Sequence, residues 1–330
     1  MLSHQINVVN SLARFFENVV VLTGNVGTFT LSQNVSVVNC KWIEGNNIRN
    51  SLVFYLKALP LLMKKDCVFF FHMTDVQSAL LAPFTLCFRV KHILWYAHKK
   101  VSIYLWITSF FNRIILTASV GSCSLPKKKF SVIGHGIETE LFNFKERENY
   151  TLDRLVSIGR LDESKGIDVM IESFMNLQKS RTDLTLHFYG APSNKKSRNY
   201  MSWVKSRYSS SLDHGIVQFH DQVKRSMVVT LFEDYDIFLH AYQGSLDKSI
   251  LEASLVGVPV VTLNREYLSI FGSWSNHSVL SLENELTYIL KMDAGALRSE
   301  ISRRSSLCAE LFSMDKWTQS IFFFLTSQVI

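Results

Sequence analysis

The chain has 330 residues, of which 47% are hydrophobic and 19% charged. That balance excludes a disordered or fibrous protein and leaves room for two ordinary domains. The formal net charge is +7, but residues 1–150 hold 16 Lys/Arg against 8 Asp/Glu and residues 151–330 hold 19 against 20, so all the excess lies in the first half.

In chain order, Ser3 to Phe16 carries apolar residues at helical spacing, and Asn18–Leu22 reads as a short buried strand before Thr23-Gly24. Strands follow at Val35–Cys40, Cys67–Phe71, His92–Ala97, Ile114–Ala118 and Phe130–Ile133. Helices lie between them at Asn47–Met63, Val76–Phe88 and Val101–Phe111. From Gly134 to Tyr150 the hydrophobic pattern breaks and charges of both signs appear, which places a linker there and divides the chain into domains 1–148 and 149–330. The alternation then resumes, with strands at Leu155–Ile158, Leu184–Tyr189, Ile216–Phe219, Asp236–Leu239 and Pro259–Leu263, and closes on helices from Glu283 onward. The C-terminal helix is expected to pack back on the first domain. Strand–helix alternation in both halves predicts an α/β fold of two doubly wound, Rossmann-like domains.

The five cysteines are scattered, with no C-x-x-C pair, and read as buried thiols in a reducing compartment, so neither a disulfide framework nor a zinc site is expected. No signal peptide is expected, and the longest apolar stretch, Val101–Phe111, is shorter than the roughly 18 residues a membrane span needs. A cytoplasmic protein is expected. Lysine clusters at 64–65, 99–100 and 127–129 predict that the first domain meets an anionic partner, an anionic membrane surface above all. Nucleic acid is not expected, because no recognition motif accompanies the charge.

Two segments carry the chemistry. Leu155–Phe174 is a strand that stops at Gly159 and presents Arg160 and Lys165 before a helix. Gln243–Thr262 starts as a Gly/Ser loop, becomes an apolar helix holding Glu252, and passes through Gly257 and Pro259 into a β-branched strand. A helix start facing a cleft is an anion site, so a helix N-terminus opposite two cations suits a diphosphate. Glu252 is costly to bury without a partner, which points to a ligand role. Asp247 reads equally as a helix N-cap or a sugar contact. His98 sits at the carboxyl end of a buried strand, where α/β proteins bind ligands. His135 is expected to be structural.

The order "IGR…KG", "FYG" and "GSLDKSILEAS-GVPVVT" resembles the nucleotide-sugar half of the family 4 (group 1) retaining glycosyltransferases, which have the GT-B fold. "LWYAHK" at Leu94–Lys99 and "KKFSVIGHGIETELF" at Lys128–Phe142 resemble the first half of that family. The resemblance implies a transfer of sugar from a UDP- or GDP-sugar to a glycan or lipid-linked acceptor, without cofactor or metal. Within it, Arg160 and Lys165 grip the diphosphate and His98 faces the sugar, while Glu252 matches the second acid of E-x7-E and binds the ribose. Gly159, Gly244, Ser245, Asp247, Lys248, Ser249, Ile250 and Leu251 complete the donor site, those at 249–251 through backbone N–H groups. Two departures stand out. The first acid of E-x7-E falls on Gly244, and the chain opens on a helix where the family has a strand and a glycine-rich loop. The alternatives implied by the second are a non-catalytic partner subunit that keeps the GT-B-like fold, or a truncated, inactive glycosyltransferase.

Overall fold

The computed structural model describes residues 3–327 except 28, 112, 148, 149, 276 and 278. It divides into two compact units, Met1–Gly136 with Ser313–Ile330, and Ile137–Phe312.

In the first unit, α1 (Ser3–Ala13) precedes β1 (Val19–Thr23), which pairs in parallel only with β2 (Val35–Asn39). The expected strand therefore forms, but its residues are only half-buried, with Leu22 packed at the edge of the core of this unit. The main sheet is parallel, in the order β3 (Val68–His72), β4 (Lys91–Trp95), β5 (Ile114–Thr117) and β6 (Ser131–Val132). Between the strands run α2 (Asn47–Ala58), α3 (Asp75–Cys87) and α4 (Ile103–Phe110). The helix expected over 47–63 changes to a 3₁₀ turn at Leu59–Met63, because Pro60 has no N–H for an α-helical bond.

The period-two alternation of β4 sorts the core of this unit into two layers. Leu94 points to Phe54 and Ala58 of α2, Leu81 of α3 and Leu105 of α4. Ile93 and Trp95 point to Val8 and Leu12 of α1 and to Trp317 and Ile321 of the helix Met314–Thr326. Among the cysteines, Cys40, Cys123 and Cys308 are buried and Cys67 is partly so. Cys87, at the last turn of α3, is exposed, contrary to the expectation of buried thiols.

The second unit is a five-stranded parallel sheet in the order β11-β10-β7-β8-β9, built from β7 (Arg154–Ile158), β8 (Thr185–Tyr189), β9 (Val217–His220), β10 (Ile237–His240) and β11 (Val260–Thr262). On one face, Leu155, Leu186 and Leu239 pack on α5 (Ile167–Gln178), α6 (Lys195–Arg207) and a later helix, Leu282–Leu290. On the other, Val156, Phe238 and Val260 pack on α7 (Arg225–Glu233), α8 (Lys248–Val256) and the helix Ala294–Phe312. The chain steps outward from β7 through β8 to β9, then returns to lay β10 and β11 on the opposite side. The order reverses between β7 and β10, and the crevice outside their carboxyl ends is where such sheets bind ligands.

The boundary falls between Gly136 and Ile137, twelve residues before the expected one. Residues 137–147 break the hydrophobic pattern yet are fastened to the second unit. Ile137 and Phe142 are fully buried in its core, and Arg147 donates to the carbonyls of Phe232 and Tyr235 at 2.6 and 2.8 Å. Gly257, which ends α8 in the left-handed conformation (φ 87°), admits this segment, since a Cβ there would stand 2.8 Å from the Phe144 ring.

Candidate functional site

At the end of β7 the chain turns at Gly159 and runs beside the loop after β8. Gly159 N donates to Tyr189 O at 3.0 Å, and Leu161 N to Ala191 O at 3.1 Å. A Cβ on Gly190 would fall 1.8 Å from Gly159 O, so the two backbones meet only because residue 190 is glycine. A 3₁₀ turn, Glu163–Lys165, then ends at left-handed Gly166 and delivers Lys165 to the crevice. Gly159, Arg160, Leu161, Lys165, His240 and Asp247 line a shallow depression at the carboxyl ends of β7 and β10.

Lys165 is mostly buried, with its side chain 14% exposed, and its ammonium forms an ion pair with the Asp247 carboxylate. The same ammonium lies 4.1 Å from the centre of the Tyr242 ring, a cation–π contact. Arg160 is 65% exposed and 3.5 Å from Asp162, so it is tethered loosely and available to an incoming anion. Asp247 occupies the N-cap position of α8 but makes no capping bond with its side chain. The carboxylate turns instead to Lys165 and to His240 Nε2, 3.4 Å away. Burial works against the Asp247 charge, yet His240 and Lys165 outweigh it and hold the carboxyl below its ordinary range. Burial pulls the His240 imidazole down, with Asp247 opposing, so His240 is neutral at pH 7. Its Nδ1 meets Thr262 Oγ1 at 2.8 Å, and Thr262 Oγ1 accepts from Asn264 N at 3.0 Å. The network is satisfied when the Thr262 hydroxyl donates to Nδ1 and Nε2–H faces Asp247.

The remaining residues expected at the donor site, Gly244, Ser245, Lys248, Ser249, Ile250, Leu251 and Glu252, are not among those that line this depression. Ile250 and Leu251 are fully buried core side chains, so only the backbone of this first turn of α8 is available for an anion. Burial lowers the Lys248 ammonium from its usual range. Glu252 is buried and accepts from Arg225 Nη1 at 2.6 Å, while Arg225 Nη2 donates to Glu138 at 3.1 Å. Burial raises the Glu252 carboxyl and Arg225 offsets part of that rise. Its partner is therefore a protein cation. Gly244, the position of the missing acid, has a steric explanation: a Cβ there would lie 2.1 Å from the Tyr242 ring. His98 belongs to the first unit, where it is exposed beyond the end of β4 and its Nδ1 accepts from Lys100 N at 3.0 Å. Buried His135 packs edge-on against Trp95 at 5.6 Å between ring centres.

His240, Tyr242, Arg225 and Glu138 complete these arrangements, and sequence reasoning passed over all four. His240 carried a readable signal, being the last residue of an apolar strand. Arg225 and Glu138 carried none, because they are 87 residues apart and no local pattern joins them.

The α/β fold with parallel sheets matches that of GT-B glycosyltransferase structures. A glycosyltransferase from Rickettsia africae superimposes with a TM-score of 0.73 at 11% identity, over 98% of this chain and 95% of that one. Anabaena HepE, crystallised with UDP and glucose, gives a TM-score of 0.71 at 14% identity over 97% and 95%. The sucrose-phosphate synthase of Thermosynechococcus elongatus gives 0.73 at 12% over 96% and 90%. Residues 153–273 match the model of the family described as glycosyl transferases group 1. This segment contains the whole depression. No curated protein matches the chain by sequence.

Proposed function

We propose that the chain is a retaining glycosyltransferase of family 4 that moves a sugar from a UDP- or GDP-sugar to a hydroxyl of a lipid-linked glycan or surface polysaccharide precursor. The observation that carries this reading is the convergence of Arg160, Lys165 and Asp247, the N-cap residue of α8, on one depression at the switch point of a sheet whose segment matches group 1 glycosyltransferases. Departure of a nucleoside diphosphate concentrates negative charge on its phosphates. In this reading the ammonium of Lys165, the guanidinium of Arg160 and helix N–H groups meet that charge, and the scheme uses no metal. In this reading His98 contacts the donor sugar or the incoming hydroxyl. The protein acts in the cytoplasm, and its basic first unit meets the anionic inner face of the cell membrane. Support from other proteins is of the same kind: a pneumococcal O-GlcNAc transferase crystallised with UDP and GlcNAc shares the fold at 11% identity and a TM-score of 0.60.

A specific observation favours a second reading, a non-catalytic partner subunit. Lys165 is already paired with Asp247, and Glu252 with Arg225. Calorimetric titration with UDP and with GDP separates the two. The enzyme reading expects saturable binding that Arg160→Ala weakens and Lys165→Met abolishes. Absence of binding, or equal binding by all three proteins, refutes it.

A further inference from the structure

The first unit turns apolar side chains outward where a water-soluble helix layer turns them in. On α2, Ile48, Leu52 and Leu56 stand at i, i+4 and i+8 and are 79%, 59% and 73% exposed. On α4, Ile103, Trp106 and Phe110 stand at i, i+3 and i+7 and are 68%, 49% and 78% exposed. Each trio forms a stripe along one helix face. The opposite faces are already in use, because Phe54 and Ala58 of α2 and Leu105 of α4 pack in the core below. The end of α3 lies in the same layer. Its Phe84 touches Tyr55 of α2 edge-on at 5.7 Å, and Phe88 is 55% exposed. Three helices on one side of one sheet thus present apolar residues away from the core.

Charge accompanies these stripes. Residues 41–113 hold ten Lys/Arg against three Asp/Glu, and one of the three, Asp75, accepts a hydrogen bond from Ser102. Lys57 lies on α2, Lys64 and Lys65 follow it, and Lys99 and Lys100 precede α4. The first unit as a whole has 15 Lys/Arg against 5 Asp/Glu, whereas the second has 20 against 23. An apolar stripe rimmed by lysines is what an interfacial helix needs: the cations approach lipid phosphates while the side chains between them enter the acyl boundary.

We infer that the α2–α3–α4 layer docks on an anionic lipid surface, with the Ile48/Leu52/Leu56 and Ile103/Trp106/Phe110 stripes inserted and the lysines at the headgroups. The inference rests on the reading that the basic unit meets an anionic membrane, and it adds which face is buried there and that insertion, beyond attraction, holds it. Net positive charge beside the stripes selects a lipid surface over a second copy, which would bring like charges together.

The test is cosedimentation of the full chain with vesicles of phosphatidylcholine alone or phosphatidylcholine mixed with phosphatidylglycerol. Two variants are compared, Ile103→Ser/Trp106→Ser/Phe110→Ser and Leu52→Ser/Leu56→Ser, with Trp203→Ser of the second unit as control and UDP titration of every protein alongside. The wild type and the control are expected to partition onto anionic vesicles far more than onto neutral ones. Each stripe variant is expected to lose at least about tenfold in that partitioning. Stripe variants that bind as the wild type does would overturn insertion and leave electrostatic attraction standing. A wild type that ignores anionic vesicles would overturn both. A dimer that Leu52→Ser/Leu56→Ser dissociates, without vesicle binding, would assign the face to a second copy. The UDP titrations report on the donor site separately in every case.

Discussion

Replacing Asp247 with asparagine isolates the competition built into the depression. The Lys165 ammonium is held by the Asp247 carboxylate, so under the proposed function a diphosphate displaces or shares that carboxylate to reach the cation. A charge-assisted hydrogen bond of this kind contributes about 1.5–3 kcal/mol. The substituted side chain keeps an amide oxygen for Lys165 but removes the charge that competes with phosphate and repels it. UDP affinity should therefore rise roughly tenfold to hundredfold at about 1.4 kcal/mol per decade. The cost falls on stability: Lys165 is left mostly buried beside a neutral partner, and the unfolding midpoint should fall. Calorimetry at fixed pH and ionic strength gives the dissociation constants, and thermal unfolding with and without UDP gives the linked shift. A dissociation constant that stays the same or weakens would refute the competition and return Asp247 to a role in sugar contact.

Three further outcomes follow from the geometry. Arg225→Met strands the buried Glu252 and the neighbouring Glu138, and should cost about 3–5 kcal/mol of stability in denaturant titration, part of which Arg225→Met/Glu252→Gln restores; a loss below about 1 kcal/mol would contradict the pairing. His187 is buried, and its pKa is lowered to about 4 by burial, by His220 stacked 5.3 Å away, and by Arg154. The unfolded chain therefore binds the extra proton between pH 6.5 and 4, so stability falls by about 3 kcal/mol as pH drops through that window, and His187→Gln should flatten this slope in urea titrations at several pH values. Gly190→Ala drives its methyl into Gly159 O and should both destabilise the protein by about 1–3 kcal/mol or more and weaken UDP binding, which titration of the folded fraction would detect.

Strands were legible because most are short apolar runs between turn residues, and the β7–Gly159–Lys165 segment was legible because its chemistry lies within a short continuous piece of chain. What escaped was set by distance along the chain. The Lys165–Asp247 pair spans 82 residues and turns a capping residue into a counter-ion. Glu252 was expected to hold a ligand because burying it alone is costly; Arg225, whose place depends on how α7 lies against α8, is paired with it. The boundary was misplaced for a related reason. Ile137, Phe142 and Phe144 are too widely spaced to make a periodic signal, yet each fills a separate site on the second unit.

The contact between Tyr242 and Gly244 ties two positions that alternate-residue patterns treat as independent. A side chain at 244 would displace the Tyr242 ring from where it now lies, against the Lys165 ammonium. Changing this rim takes paired substitutions, because either alone leaves a clash or a void. The opposite wall, where Gly159 and Gly190 touch backbone to backbone, has no such freedom. On this scaffold the 242/244 rim therefore changes shape only by a two-residue exchange, while a side chain at 190 meets fixed backbone.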